Sequence, residues 1–371
     1  MTRRPTSALG IPLILAAALI LHTTTTRAQA DDPAPYVLHV YPTLIQVPAL
    51  VLNSHRKPLP PVALQKFDIS LDAGPVFHPT QMRLEGDDPI NLAILLDTNI
   101  DPDTILKNFP TALAALSPGS LHTQDRVSIY AVDCILVRSA ENVPASATTL
   151  REGILHALSY PTLHGKNSRP ACGDKLALWD SIMSITRALS NLPGRRVLLI
   201  VSNGIDGGSH SKWNDFLHFV NLQSVTVFGL RSAYVSVDSP TTFQRYGRGG
   251  LSSVSTAVQD PHEDLFKDLC ELNGGMILNT RAKDLALDLQ SFVSLLRNRY
   301  ILEFPRSNDA PSGSHSILVT IPNTNAFITT AGVVVPLADA KLLADPNTVP
   351  SAPTQIKFGT RRPLDPAASP H

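Results

Sequence analysis

The sequence predicts an α/β protein: a doubly wound, mostly parallel sheet covered by helices and inserted between β-rich flanks. Three observations carry this. Between about Ile90 and Arg297, strand-length apolar runs alternate with helix-length amphipathic segments, as in a parallel sheet with helices on both faces. The runs are apolar at consecutive positions, as in Leu92–Leu96, which suits strands buried on two sides. Outside that region the apolar runs are short and punctuated by Pro and by Asn-Ser-His, which reads as strands joined by turns.

Each element follows from its local pattern. Residues 31–88 form an N-terminal β-rich segment with strand-like Tyr36–Tyr41, Leu44–Val51 and Phe67–Leu71. Residues 89–298 form the α/β unit. Its strands are expected at Leu92–Leu96, Val127–Val132, Val197–Val201, Val225–Leu230 and Met276–Leu278. Helices are expected at Asp103–Leu116, Thr149–Leu158, Leu176–Leu192, Lys212–Leu222, Asp264–Leu272 and Lys283–Arg297. Within the third, Leu176, Trp179, Met183, Thr186 and Leu189 recur at three- and four-residue steps, the stripe of a helix packed on a sheet. Residues 299–337 return to strands, at Tyr300–Phe304 and Ser314–Ile321, with Pro311-Ser-Gly313 as the turn. Neither flank alone has enough strands for a stable sheet pair, so the two are expected to join in a small β-sandwich. The Pro- and Ala-rich residues 338–371 lack periodicity and are expected to be a disordered tail.

The N-terminus carries an address. Arg3 and Arg4 precede an apolar core of ~14 residues, Ala8–Leu21, short of the ~20 that span a bilayer. Ala28-Gln29-Ala30 is a small-x-small cleavage site, so residues 1–30 read as a signal peptide with cleavage after Ala30. The mature chain is then expected outside the cytoplasm, secreted or periplasmic, with no membrane span. Lys and Arg together number 31, as do Asp and Glu, so no net field draws nucleic acid. Of 3 cysteines in an exported chain, Cys134 and Cys172 are expected at one sheet edge as a disulfide, leaving Cys270 on a helix. Three free thiols is the alternative.

The most informative stretch is the end of the first α/β strand. An apolar run, Ile90–Leu96, stops on Asp97-Thr98-Asn99-Ile100-Asp101, which places side-chain oxygens at every second position where a central strand emerges. Ligands of open α/β sheets bind at that end. An EF-hand is excluded, because its sixth and twelfth positions would be Pro102 and Asn108. Motifs for zinc proteases, nucleophile elbows and phosphate loops are missing from the sequence. Ser209-His210 reads as a surface-loop pair rather than a catalytic one.

Several landmarks in order and spacing extend this: Pro89–Asp97, Gln124-Asp-Arg-Val127, Leu176-Ala-Leu-Trp-Asp180, Gly194–Asp206, Leu272-Asn-Gly-Gly-Met276 and Arg299–Phe304. Together they resemble the von Willebrand factor type A domain, in the form of the bacterial secreted family called von Willebrand factor A-related, acidobacterial type. The resemblance spans about Tyr36 to Pro322 and implies a type A, Rossmann-like fold. It also implies a metal-ion-dependent adhesion site in degenerate form. Asp97, Asn99 and Asp101 stand at that site's first motif, Leu176 replaces its threonine and Asn203 replaces its second aspartate. Asp174 is a candidate replacement ligand. The implied function is an exported, non-enzymatic module for adhesion or protein binding. It would recognise a protein partner at loops over the strand ends, with Asp97, Asn99, Asp101, Asp174 and Asn203 as floor and residues 231–262 as a rim. A divalent cation, Mg²⁺ or Ca²⁺, is held weakly or replaced by a hydrogen-bonded polar cap. No small-molecule cofactor is implied. An inert scaffold piece of a cell-envelope assembly and a secreted hydrolase with unassembled catalytic residues are the rival readings.

Overall fold

Apolar strands need cover on both faces, and that requirement organises the chain. The computed structural model describes residues 39–40, 44–100, 105–133, 135–159, 176–233, 264–305, 313–335 and 348–349. In chain order the strands are β1 (His39–Val40), β2 (Leu44–Leu52), β3 (Asp68–Leu71), β4 (Gln81–Leu84), β5 (Ile90–Asp97), β6 (Arg126–Val132), β7 (Leu136–Pro144) and β8 (Arg195–Val201). They continue with β9 (Thr226–Ser232), β10 (Ile277–Thr280), β11 (Tyr300–Pro305), β12 (Gly313–His315), β13 (Ile317–Thr320), β14 (Phe327–Thr330), β15 (Val333–Val335) and β16 (Thr348–Val349). The helices are α1 (Phe109–Ala114), α2 (Ala147–Ser159), α3 (Leu178–Ser190), α4 (Trp213–Leu222), α5 (Leu265–Leu272) and α6 (Leu285–Arg297).

The central sheet has the order β10-β9-β8-β5-β6-β7, parallel throughout except for β7, which returns antiparallel along β6. β5 comes first in the chain yet sits in the middle. The chain builds outward through β6 and β7, then resumes on the other side with β8, so the winding reverses between β5 and β8. This is the doubly wound, mostly parallel arrangement that the sequence predicts, and the reversal is where such sheets open a crevice.

Alternation along β5 explains its continuous apolarity. Ile90, Leu92, Ile94 and Leu96 enter one core with α1, α2 and α6, while Ala93 and Leu95 enter a second with α3, α4 and α5. Fully burying each such aliphatic side chain contributes about 1.5–3 kcal/mol. The flanks join as an antiparallel sheet, β14-β2-β11-β4, over the β3–β13 ladder, and a third core lies between them. β2 serves two cores: Val47, Ala49 and Val51 face the flank core, whereas Leu50 and Leu52 face the α/β unit. In addition, β1 and β16 form a two-residue parallel pair.

The seam at the amino ends of the parallel strands is ionic. Glu85 is buried and accepts from Arg299 Nε at 2.6 Å and Nη2 at 2.8 Å, while Arg299 Nη1 donates to Thr226 Oγ1 at 2.6 Å. Arg195 Nη1 lies 3.1 Å from the same carboxylate. Nearby, buried Asp125 accepts from Ile90 N, His122 N and Arg297 Nη2. Arg195 and Arg196 open β8 and are half-buried: Arg195 Nη2 donates to Glu85 O of the N-terminal flank, and Arg196 Nη1 donates to Ser190 O at the end of α3.

Other differences are local. α1 begins at Phe109, with 105–108 in turns, because Pro110 fits only near a helix start, where its missing N–H goes unused. Strands β4, β7, β14, β15 and β16 add to those expected, the last of them within the segment 338–371 read as a tail. Among the described residues no helix is long and apolar enough to cross a membrane. The expected signal peptide lies outside the described residues.

Candidate functional site

The register of the central strands brings the candidate residues together. Leu96 of β5 pairs with Val201 of β8 and Asp97 with Val132 of β6, so the next residue of β8, Ser202, emerges beside Asp97. Ser202 Oγ donates to Asp97 Oδ2 at 2.7 Å, and Asn99 N donates to Oδ1 at 2.9 Å. Ser202 Oγ in turn accepts from Gly204 N at 3.0 Å. Thr98 N and Oγ1 both donate to Val132 O, which ties the 97–99 turn to β6.

Asp97 is only 3 % exposed, and among the described residues the donors on its oxygens come from Ser202 and Asn99 and are neutral. Burial pushes its carboxyl up to about 6, against the hydrogen bonds from Ser202 and Asn99, and the charge of Asp133 adds to the rise. The adjacent Asn203 is half-buried, and its Oδ1 is shielded from solvent with no hydrogen-bond donor among the described residues. Asn99 is exposed. Asp101 and Asp174, the other two floor candidates, lie outside the described residues.

Leu176, at the position of the implied threonine, is buried in the core shared with α3. Its carbonyl accepts from Gly207 N and Gly208 N, which draws the loop after β8 toward the start of α3. Asp206 completes that junction by accepting from Leu178 N at 2.7 Å, Trp179 N at 3.2 Å and Ser209 Oγ at 2.6 Å. Burial pushes the Asp206 carboxyl up despite these donors. Ser209 thus serves a helix start: its hydroxyl donates to Asp206 and accepts from Asp180 N, while the His210 side chain is 97 % exposed. Both tryptophans of the chain stand here, Trp179 and Trp213, with ring centroids 5.4 Å apart.

The rim differs from expectation. Arg231 and Ser232 belong to β9 and are buried, so the segment expected from residue 231 begins beyond them. Residues 234–262 lie outside the described residues. Exposed aliphatic side chains flank the end of β5 on both sides: Ile135, after β6, is 59 % exposed and Ile205, after β8, is 50 % exposed. Cys134 and Cys172 lie outside the described residues. Cys270 is a free thiol buried on α5, and burial pushes it well above the usual thiol range.

Sequence reasoning passed over Ser202 and Asp206, although both sit inside the Gly194–Asp206 landmark. A serine directly after a buried strand, facing an aspartate at the end of its neighbour, was the available signal. As a metal site the donor set suits a hard cation in kind, because Asp97 and the unpartnered Asn203 Oδ1 both offer oxygen. Leu176 removes one ligand, and among the described residues no three His, Cys, Asp or Glu side chains gather to hold a metal ion. A divalent cation would therefore rest on Asp97 and Asn203, with water filling its shell.

No family model matches the chain. No curated protein sequence matches it either. Similar solved structures include the mussel-byssus proximal thread matrix protein 1 with a zinc-occupied MIDAS motif, at 11% identity and TM-score 0.35, covering 57% of this chain and 49% of that one. The manganese-loaded TRAP protein of Plasmodium vivax matches at 9% identity and TM-score 0.35 over 67% of this chain and 95% of that one. BatB from Bacteroides thetaiotaomicron matches at 12% identity and TM-score 0.34 over 55% and 99%. The chain thus spans about half the length of the mussel protein. At these values the reading of the site rests on its own geometry.

Proposed function

We propose that the protein is an exported, non-enzymatic recognition module that takes a protein partner at the carboxyl ends of β5 and β8, with weak or no metal dependence. Asp97, Asn99 and Asn203, joined by Asp101 and Asp174, form the floor. Ile135 and Ile205 supply apolar contact at the rim. One observation carries the reading: Asp97 is a buried carboxylate held, among the described residues, by neutral donors, at the topological switch point, with its proton affinity raised toward neutrality. A group perturbed by desolvation at a crevice is a functional-site candidate with a physical cause. The unpartnered Asn203 Oδ1 beside it is a ready acceptor for a partner's donor. Ser209 is committed to a helix start, which takes the one Ser-His neighbour pair noted in the sequence out of hydrolytic chemistry.

The test compares the wild-type chain with Asp97→Ala/Asp101→Ala. Crosslinking capture from the native envelope fraction is expected to yield a protein band that the double variant loses, while circular dichroism stays unchanged. Equal capture by both would defeat the reading and favour an inert scaffold. Calorimetric titration with Mg²⁺, Mn²⁺ and Ca²⁺, followed in parallel through Trp179 and Trp213 fluorescence, is expected to show weak binding at most. A tight, saturable response would make the mechanism metal-dependent.

A further inference from the structure

We propose that Arg231 and Asp264 form a positioning clasp for the mouth. Their ion pair seats Phe266 against Gly204, and that ring holds the turn from which Ser202 reaches Asp97. This deepens the reading above, since it concerns how the same floor is kept in place.

Arg231 is the penultimate residue of β9, its side chain 6 % exposed, and Asp264 caps α5. The pair is bidentate, Nη1 to Oδ2 and Nη2 to Oδ1, each at 2.7 Å, and Asp264 Oδ1 also accepts from Lys267 N at 3.1 Å. Desolvation offsets much of the Coulomb gain of such a covered pair, so its contribution lies mainly in geometry. What it fixes is the first turn of α5. Phe266 sits on that turn, fully buried, with the Arg231 guanidinium 5.2 Å from its ring centroid.

The ring leaves no slack. A Cβ added to Gly204 would lie 2.4 Å from Phe266 Cβ and 2.6 Å from Cγ; one on Gly229 would lie 2.8 Å from Cζ. Gly204 adopts φ +79°, so the turn also needs a glycine for its backbone. Its N–H donates to Ser202 Oγ, which donates to Asp97 Oδ2. Close-packed groups pass a displacement on rather than absorbing it. The clasp therefore lies four contacts from the carboxylate: guanidinium to ring, ring to Gly204, Gly204 to Ser202, Ser202 to Asp97.

Amide hydrogen exchange in the full chain tests this, comparing wild type with Arg231→Gln, Asp264→Asn and Phe266→Leu. The floor amides Gly204 and Asn99 are read against Ile90, whose amide is held by Asp125 at the other end of β5. Losing one charge-assisted hydrogen bond is expected to speed exchange at Gly204 and Asn99 about tenfold relative to Ile90. Phe266→Leu is expected to do the same although it leaves both charges in place. A rise shared equally by both ends would mean that the pair contributes only general stability, and it overturns the proposal. So does an unchanged Gly204 in Phe266→Leu. Should Arg231→Gln fail to fold, Asp264→Asn retains a cap acceptor and decides the matter. These readouts involve no partner and no metal, so a mouth that binds nothing leaves the clasp standing.

Discussion

Buried carboxylates mark both ends of the central sheet, and they are treated in opposite ways. At the amino ends Glu85 receives two hydrogen bonds from Arg299, with Arg195 beside it, and Asp125 receives one from Arg297 together with two backbone amides. At the carboxyl ends Asp97 is as well hidden from water, yet a hydroxyl and an amide are what its oxygens hold. Removing an ion from water is costly unless a counter-charge is supplied. The amino end supplies it and ties the flanks to the α/β unit. The carboxyl end leaves the burial penalty standing, and Asp97 expresses it as a raised pKa. On the proposed reading, the charge-paired end is a joint, and the other end is where a binding event can gain from completing the site.

The largest effect is expected at the joint. Glu85→Gln removes the counter-charge of the Arg299 guanidinium and leaves it one amide oxygen beside the buried Thr226 hydroxyl. Breaking a buried pair from one side costs about 3–5 kcal/mol. Urea unfolding is the measurement, and a loss below about 1 kcal/mol would show that the joint is not ionic in the sense argued here. A somewhat smaller effect is expected for Gly204→Ala at the mouth. The left-handed backbone and the overlap with Phe266 together cost about 2–4 kcal/mol, while Gly194→Ala, also at positive φ (+79°) but with open space around it, incurs the backbone part alone. Equal losses for the two glycines would remove the packing argument for the floor.

How far these ends could be read beforehand differs for physical reasons. The strand Ile90–Asp97 was legible because cover on two faces forces consecutive apolar residues, and the α3 stripe because one-sided cover imposes a helical period. Asp97 followed from the end of that strand alone, whereas Asn203 beyond β8 came from the family resemblance. By contrast, β4 carries Gln81 and Arg83 among exposed positions and is held by its ladder to β11, a partner more than two hundred residues away. No local pattern encodes that. The Glu85–Arg299 and Arg231–Asp264 pairs are likewise charged residues of ordinary surface type until the fold covers them. Ser202 was quoted as part of a landmark, but a serine after a strand declares nothing until its neighbour is known.

The same acid-to-amide change at Asp97 is expected to act in the opposite direction. Its carboxyl rises from 3.8 to about 6 in the fold, because burial disfavours the charged form. The folded chain therefore holds this proton more tightly than the unfolded one. The associated stability is fully present below pH 3.8 and is lost as pH climbs through 6. Roughly two pKa units correspond to about 3 kcal/mol removed by neutral pH. Asp97→Asn abolishes that titration, and because an amide places its donors less well than a protonated carboxyl, the expected gain at pH 7.5 is about 1–2 kcal/mol. Urea midpoints of wild type and variant, taken from pH 3.5 to 7.5, isolate the term as their difference, since all other carboxylates are common to both. A divalent cation that uses the mouth would stabilise the wild type alone and shrink the gap. If the difference stays flat across that interval, Asp97 is charged and content in the free protein, and the contrast between the two ends of the sheet disappears.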